Sequence, residues 1–269
     1  VRVCRELQHQ ATVVRGGVML AHALRESFEE IYQLAYRLTL REEDRAALLR
    51  EAVVIALEQL PALQASGGNG SPGPEDARGL LLRGVAEAVQ SRQRQRPQLT
   101  FDDLDAQIRN DPTNPDALRG IGDAEREQLL WDLKEGCLTA AVTCLPPGER
   151  VAFALLDVLG CDPEATAAAL GIRTSALRVR ASRARNKIVD YLSPRCGHVN
   201  ARNPCQCPSR LGVAFEHGFV GPVAGRRALL RDFPAFGEQG PTHEPLSVYR
   251  RLPSPKPPAE LLEELLALI

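Results

Sequence analysis

The stretch from Leu145 to Leu192 constrains the fold of this chain more than any other. Two short runs with apolar residues at helical spacing are followed by Gly160 and Gly171, and a third run comes after them. Glycine is the residue best suited to the left-handed turn that ends many helices. The pattern therefore predicts three short helices joined by tight turns, as in a helix-turn-helix.

The starts of these three helices are also marked in the sequence. The first is predicted over Pro147–Leu159, with proline at its first position. We expect Asp162 to cap the second, Pro163–Leu170, and Thr174 to cap the third. The third helix has apolar residues at i, i+4, i+7 and i+11, which predicts one buried stripe. That stripe consists of Leu177, Ala181, Ala184 and Ile188.

The third run carries six cations and no acid before Asp190. Arginines near the start of such a helix reach base edges in the major groove, and later ones reach phosphates. The alternative is a solvated basic face, but the caps, the glycines and the lack of acids favour nucleic-acid binding. The predicted DNA-binding residues are Arg173, Thr174, Ser175, Arg178, Arg180, Ser182, Arg183, Arg185 and Lys187.

Composition favours an all-α chain. The 269 residues are 44% hydrophobic but only 4% aromatic, which favours helices over β-structure because alanine and leucine are abundant. The formal net charge of −1 identifies no partner, whereas the distribution of charge does. A second basic zone precedes an acidic stretch, and we place secondary DNA contacts there. Its residues are Arg83, Arg92, Arg94 and Arg96.

Breaks in periodicity divide the chain into two small helical domains joined by a linker and followed by an irregular C-terminal extension. The loop Ala65–Pro74 is too rich in glycine and proline to hold a helix, and the helix predicted over Ala259–Ile269 is short enough to need a surface to dock on. No apolar run approaches the ~18 residues of a membrane span, so we predict a cytoplasmic protein without membrane insertion. The predicted segments are an N-terminal extension (1–20), a helical domain (21–97), an acidic linker (98–122), the helix-turn-helix domain (123–192), a Cys/His segment (193–211) and a Pro/Gly-rich extension ending in a short helix (212–269).

The helix-turn-helix stretch resembles region 4 of the extracytoplasmic-function (ECF) sigma factors, in the sigma-70 family. The family pattern begins with Leu-Pro and an arginine four residues after the proline, here Arg150, and closes with Ser-Arg-Ala-Arg at Ser182–Arg185. The resemblance implies binding to the −35 promoter element and to the flap of RNA polymerase.

Upstream, Phe28–Leu60 is similar to region 2 of the same family. That resemblance implies docking on the polymerase clamp and melting of the −10 element, with the loop Ala65–Pro74 at the position that captures a flipped base. The loop has no aromatic residue to stack on such a base.

Three thiols and one imidazole lie close together in the sequence after the helix-turn-helix. Cys196, His198, Cys205 and Cys207 are ligand types that suit Zn²⁺, or Cu⁺ for the thiolates. Their C-x-H and C-x-C spacings are tighter than the usual C-x₂-C knuckle, so a structural loop and a redox-sensitive pair are alternatives. The predicted function requires no cofactor, and zinc or copper is the candidate for this segment.

No arrangement of residues typical of an active site occurs in the sequence, so we predict that the protein is not an enzyme. The predicted function is that of a sigma factor that binds core RNA polymerase and promoter DNA, with an anti-sigma factor as a further candidate partner. The alternatives are a sigma-derived DNA-binding regulator that cannot melt promoters, a metal- or redox-responsive regulator, and a sigma mimic that titrates an anti-sigma factor.

Overall fold

The computed structural model describes residues 2–66, 73–95, 99–110, 115–216, 219–221, 236, 240–252 and 254–269. Within these ranges the chain is helical, and its one β-feature is an isolated bridge, so the all-α prediction is confirmed. The helices are α1 (Arg2–Leu38), α2 (Glu42–Ser66), α3 (Pro74–Gln95), α4 (Phe101–Asn110), α5 (Asp123–Thr143), α6 (Pro147–Phe153), α7 (Pro163–Ala169), α8 (Thr174–Leu192), α9 (Cys207–Glu216), α10 (Pro245–Arg250) and α11 (Ala259–Leu266).

The first three helices form a bundle. The long helical region predicted from Ala21 to Leu63 is two helices, which are separated by a break between Leu38 and Glu42. Helix α1 also covers residues 2–20 of the predicted N-terminal extension, and Leu20 at the end of that extension is fully buried. The bundle core is made by the apolar faces of α1, α2 and α3, including Leu34, Leu48, Leu81 and Val85.

Helices α2 and α3 approach each other closely at Gly84. A Cβ atom at this position would lie 2.2 Å from the backbone oxygen of Ala52. In an unobstructed helix, alanine would be favoured over glycine by about 1 kcal/mol. Here the steric clash dominates, because a backbone oxygen cannot rotate away.

We therefore expect Gly84→Ala to lower the free energy of unfolding by about 1–3 kcal/mol, measured by urea denaturation. Gly17→Ala inside α1 is the matched control, because a Cβ at Gly17 meets its nearest atoms, in Ile269, at an ordinary contact distance of 3.7 Å. A Gly84→Ala protein at least as stable as the wild type would contradict the observed α2–α3 approach.

The second half of the chain contains the three predicted helices. Helix α6 continues into a π-helical turn, Ala154–Val158, so the helix predicted over Pro147–Leu159 has a change of geometry in its middle. Helices α6, α7 and α8 share a small apolar core of Ala152, Ala167, Leu177 and Ala181. The predicted acidic linker contains α4 and a 3₁₀ turn, Pro115–Leu118.

The described part of the predicted C-terminal extension contains α10 as well as the predicted α11, and α9 runs from the Cys/His segment into its start. Helix α9 packs on α5 and on the 3₁₀ turn around a separate apolar cluster that includes Leu129 and Leu211. Helix α11 packs on α1 and α2, so the expectation that this short helix docks on a surface is confirmed. None of the helices in the described ranges has the length and hydropathy needed to cross a bilayer.

Candidate nucleic-acid interface

The two turns of the helix-turn-helix have the predicted geometry. Gly160 and Gly171 adopt φ angles of +70° and +65°, which side-chain-bearing residues rarely adopt. The Asp162 carboxylate accepts a hydrogen bond of 2.8 Å from the Ala165 amide, so the predicted cap of α7 is confirmed. The predicted cap of α8 is wrong, because Arg173 occupies that position without a side-chain bond and Thr174 is already helical.

Helix α8 has one buried side and one exposed side. All four residues of the predicted stripe are buried, which fixes the rotation of the helix. Every predicted DNA-binding residue on α8 keeps some solvent exposure, although Thr174 and Arg185 are only partly exposed. The exposed side also carries Val179, which is 49% exposed. Sequence analysis did not single out Val179, but an aliphatic side chain on such a face can contact a thymine methyl.

Three of the α8 cations are paired with acids from the preceding helices. The Arg178 guanidinium lies 2.6 Å from the Glu164 carboxylate, and the Lys187 ammonium lies 2.7 Å from the Glu149 carboxylate. Arg185 Nε lies 2.9 Å from Asp157 Oδ1. The first pair is largely exposed and exchanges easily with phosphate.

The Arg185 pair differs, because Asp157 is 6% exposed and lies on the π-helical turn. A carboxylate this buried depends on its cationic partner. Arg185 therefore holds the π-helical turn against α8, in addition to any contact with DNA.

Besides Arg180, which faces α3, Arg173 and Arg183 are the cations of this face that have no ion pair among the described residues. Both side chains are exposed, and within the described ranges neither forms an ion pair. They lie more than two turns apart along the helix, one at its N-cap and one in its second half. Such spacing allows one group to approach a groove and the other to approach the flanking backbone.

The structure places part of the second basic zone next to the helix-turn-helix. Arg83 and Arg94 on α3 line a cleft of about 540 Å³ together with Arg180 of α8. Arg92 instead points at α2, where its Nε lies 2.8 Å from Glu51 Oε2, and Arg96 lies outside the described residues. Of the arginines predicted as secondary DNA contacts, two thus face the cleft beside α8 and one is paired with an acid of the bundle, and their contact with DNA stays a prediction.

Comparison with known proteins finds a match to the helix-turn-helix and the helix before it. The sequence profile of the family described as sigma-70, region 4 matches residues 135–188. Residues 135–188 are thus similar to a sigma-70 region 4 domain, and we refer to them as the region 4 domain. The ECF RNA polymerase sigma factor SigE of Mycolicibacterium smegmatis (strain ATCC 700084 / mc(2)155) is 29% identical over 175 residues, which cover 63% of this chain and 60% of that protein. The match thus spans about three fifths of the length of this curated relative.

No solved structure matches the chain. The match to SigE is longer than the region 4 match, so it includes residues outside the region 4 domain. The resemblance to ECF sigma factors, which was predicted from the Leu-Pro start and the Ser-Arg-Ala-Arg end, is therefore confirmed.

The arginine of the Leu-Pro motif has a structural role within the region 4 domain. The buried Arg150 guanidinium donates hydrogen bonds to the carbonyl oxygens of Thr143 and Leu145, just where α5 ends. These carbonyls belong to the helix terminus, which has no further backbone donors. Burial lowers the pKa of Arg150 to about 10, so the group stays charged at neutral pH. Arg150 thereby joins α5 to α6.

The Cys/His segment packs as a compact turn after α8. The backbones of Cys196 and Cys205 are paired in the isolated β-bridge. Cys207 Sγ lies 3.5 Å from His198 Nε2. Within the described residues no group of three or more His, Cys, Asp or Glu side chains is arranged to hold a metal ion. Burial raises the pKa of Cys207 to about 12 and lowers that of His198 to about 4. A metal would therefore have to displace a thiol proton, and the metal site stays a prediction.

Proposed function

We propose that this chain is an RNA polymerase sigma factor of the ECF type, which binds core polymerase and directs it to promoters through −35 and −10 DNA contacts. The observation that carries the proposal is the region 4 domain with an exposed row of cations on its last helix. Initiation by this route needs only non-covalent contacts from the chain, because the polymerase supplies the chemistry.

Two features support a role for the N-terminal half as well. The similarity to SigE is longer than region 4, and the α1–α3 bundle presents Arg83 and Arg94 on α3. We assign this bundle to core polymerase binding and to the −10 element, with Arg83 and Arg94 as phosphate contacts. Core RNA polymerase and promoter DNA are the proposed partners, an anti-sigma factor is a further one, and the proposed location is the cytoplasm.

The deciding experiment is runoff transcription with purified core RNA polymerase, this protein and the DNA upstream of its own gene. We expect transcripts of defined length that require both the protein and the core enzyme. The matched negative control replaces Arg173 and Arg183 with alanine, which removes two exposed charges without touching the buried stripe. Binding to the same DNA without any core-dependent transcript would instead support the regulator that cannot melt promoters.

The other two alternatives predict different outcomes. A sigma mimic binds an anti-sigma factor but shows no salt-dependent affinity for DNA. For a metal- or redox-responsive regulator, replacing Cys205 and Cys207 together with serine changes both metal content and promoter activity. The sigma proposal expects transcription by this double variant to persist.

A further inference from the structure

Helix α10 of the C-terminal extension packs beside the helix-turn-helix. The Tyr249 ring packs edge-on against Phe153 at 5.1 Å, and the Tyr249 hydroxyl donates a hydrogen bond of 3.1 Å to the Leu138 carbonyl. Helix α10 also packs on α8 and on the π-helical turn. Beyond α10 the chain continues to the bundle, where Leu265 of α11 is fully buried. Buried contacts therefore hold α10 in place beside α8.

The last residue of α10 is bonded to the same aspartate as Arg185 of α8. Arg250 Nε donates to the backbone oxygen of Asp157 at 3.2 Å, and Arg185 Nε lies 2.9 Å from Asp157 Oδ1. Because both guanidiniums are attached to one residue through their Nε atoms, they lie close together. Within the described ranges, the terminal nitrogens of these two guanidiniums form no hydrogen bond or ion pair.

The charges of this cluster do not cancel. Asp157 is 6% exposed and supplies one negative charge, which Arg185 balances. Arg250 adds a second positive charge on an exposed side chain. A guanidinium that is held by its Nε still presents its terminal amino groups as a planar fork, which matches the oxygens of a phosphate. The cluster therefore offers a net positive charge in a geometry suited to phosphate.

Arg250 extends one flank of α8. Arg178 and Arg185 are seven residues apart, so they lie on the same side of the helix. In a recognition helix, residues near the N-terminus contact bases, whereas later positions and neighbouring elements contact the phosphates on either side. A cation that lies next to Arg185, in the second half of α8, is therefore placed for a phosphate rather than for a base.

We propose that Arg250, together with Arg185, binds a phosphate of promoter DNA beside the segment that α8 contacts, so that the C-terminal extension forms part of the DNA-binding surface. Phosphate contacts carry no sequence information directly, so the extension adds affinity and not sequence preference. This proposal rests on the proposed DNA-binding function and extends its surface beyond the region 4 domain.

The test compares Arg250→Ala with Arg251→Ala in the full chain. Arg251 is the matched control, because it is the next residue and is also exposed. Its charge acts on α5 instead, since burial and, less strongly, the charge of Arg251 lower the pKa of Lys134 to about 8. Affinity is measured by salt titration with two duplexes of about 30 base pairs, one from the DNA upstream of the gene and one of random sequence. Circular dichroism compares the helix content of the variants with that of the wild type.

We expect Arg250→Ala to lower the affinity for both duplexes about threefold near physiological salt and to reduce the slope of log affinity against log salt by about 1. Arg251→Ala should match the wild type in affinity and slope. An unchanged slope in Arg250→Ala would overturn the proposal, as would equal losses in the two variants. A loss confined to one duplex would also overturn it, because it would indicate a contact with bases.

Arg250→Lys separates the charge of Arg250 from any structural role in the packing of α10. Lysine keeps the positive charge but lacks Nε and the planar fork, so we expect this variant to keep the wild-type salt slope and most of the affinity. A slope reduced as far as in Arg250→Ala would show that the loss follows from displacement of α10, and would overturn the phosphate contact.

Failure of the proposed function gives a different result. If the wild-type chain has no salt-dependent affinity for either duplex, the DNA-binding function itself fails, and the contact by Arg250 fails with it. If the wild type binds DNA and Arg250→Ala is indistinguishable from it, only the contribution of α10 is removed.

Discussion

Replacing both Arg173 and Arg183 with alanine is expected to lower the affinity for promoter DNA about tenfold near physiological salt and to reduce the salt slope by about 2. The two guanidiniums are exposed and have no ion-pair partner within the described ranges, so nothing in the protein competes with phosphate for them. The measurement is a DNA-binding titration at several salt concentrations.

Arg119→Ala is the matched control for the DNA-binding test. The Arg119 side chain is 82% exposed and pairs with Asp116, and Arg119 directly follows the 3₁₀ turn before α5, away from α8. We expect its removal to leave both affinity and salt slope close to those of the wild type. Equal losses in the control and in the α8 double variant would indicate a non-specific charge effect and would exclude α8 as the DNA-binding face.

Replacing Arg150 with alanine is expected to lower the free energy of unfolding by about 2–4 kcal/mol. The substitution leaves the carbonyl oxygens of Thr143 and Leu145 without their donor in a buried environment. Arg150→Lys should recover part of the loss, because a single ammonium keeps the charge but lacks the planar fork of donors. Urea denaturation followed by the fluorescence of Trp131 measures both, since it is the one tryptophan of the chain and is buried.

The control for the Arg150 series is Arg126→Ala on the exposed side of α5. We expect that variant to stay within about 0.5 kcal/mol of the wild type, as surface substitutions usually do. An Arg150→Ala protein that unfolds at the wild-type urea concentration would contradict a structural role. Arg150 would then serve contacts outside this chain instead of joining α5 to α6.

Several features of region 4 could be predicted because they depend on residues adjacent in sequence. A glycine that ends a helix, an aspartate that caps the next and apolar residues at helical spacing act over a few residues, and Gly160, Gly171, Asp162 and the α8 stripe all behave as predicted. The cap assigned to Thr174 was wrong by one position, since helix starts are set by backbone geometry that composition alone does not fix.

The pairing of the α8 cations could not be predicted in the same way. The acids that reach Arg178, Arg185 and Lys187 come from α6, the π-helical turn and α7, at sequence separations of 14 to 38 residues. The third run does lack acids before Asp190, but three of its cations are nevertheless paired with acids from other helices. Only folding of the three helices distinguishes Arg185, which holds Asp157, from Arg183, which is available.

By itself, the sequence determined the helical class, the helix-turn-helix with its turns, and the Leu-Pro and Ser-Arg-Ala-Arg motifs that the region 4 match confirms. Tertiary structure decided that Arg150 joins two helices, and that the extension, predicted as irregular, fixes region 4 to the bundle through Tyr249 and Leu265. The physical reason is the separation in sequence of the residues involved. Caps and periodicity depend on residues a few positions apart, whereas these contacts join segments that are distant in sequence and form only when the complete core has assembled.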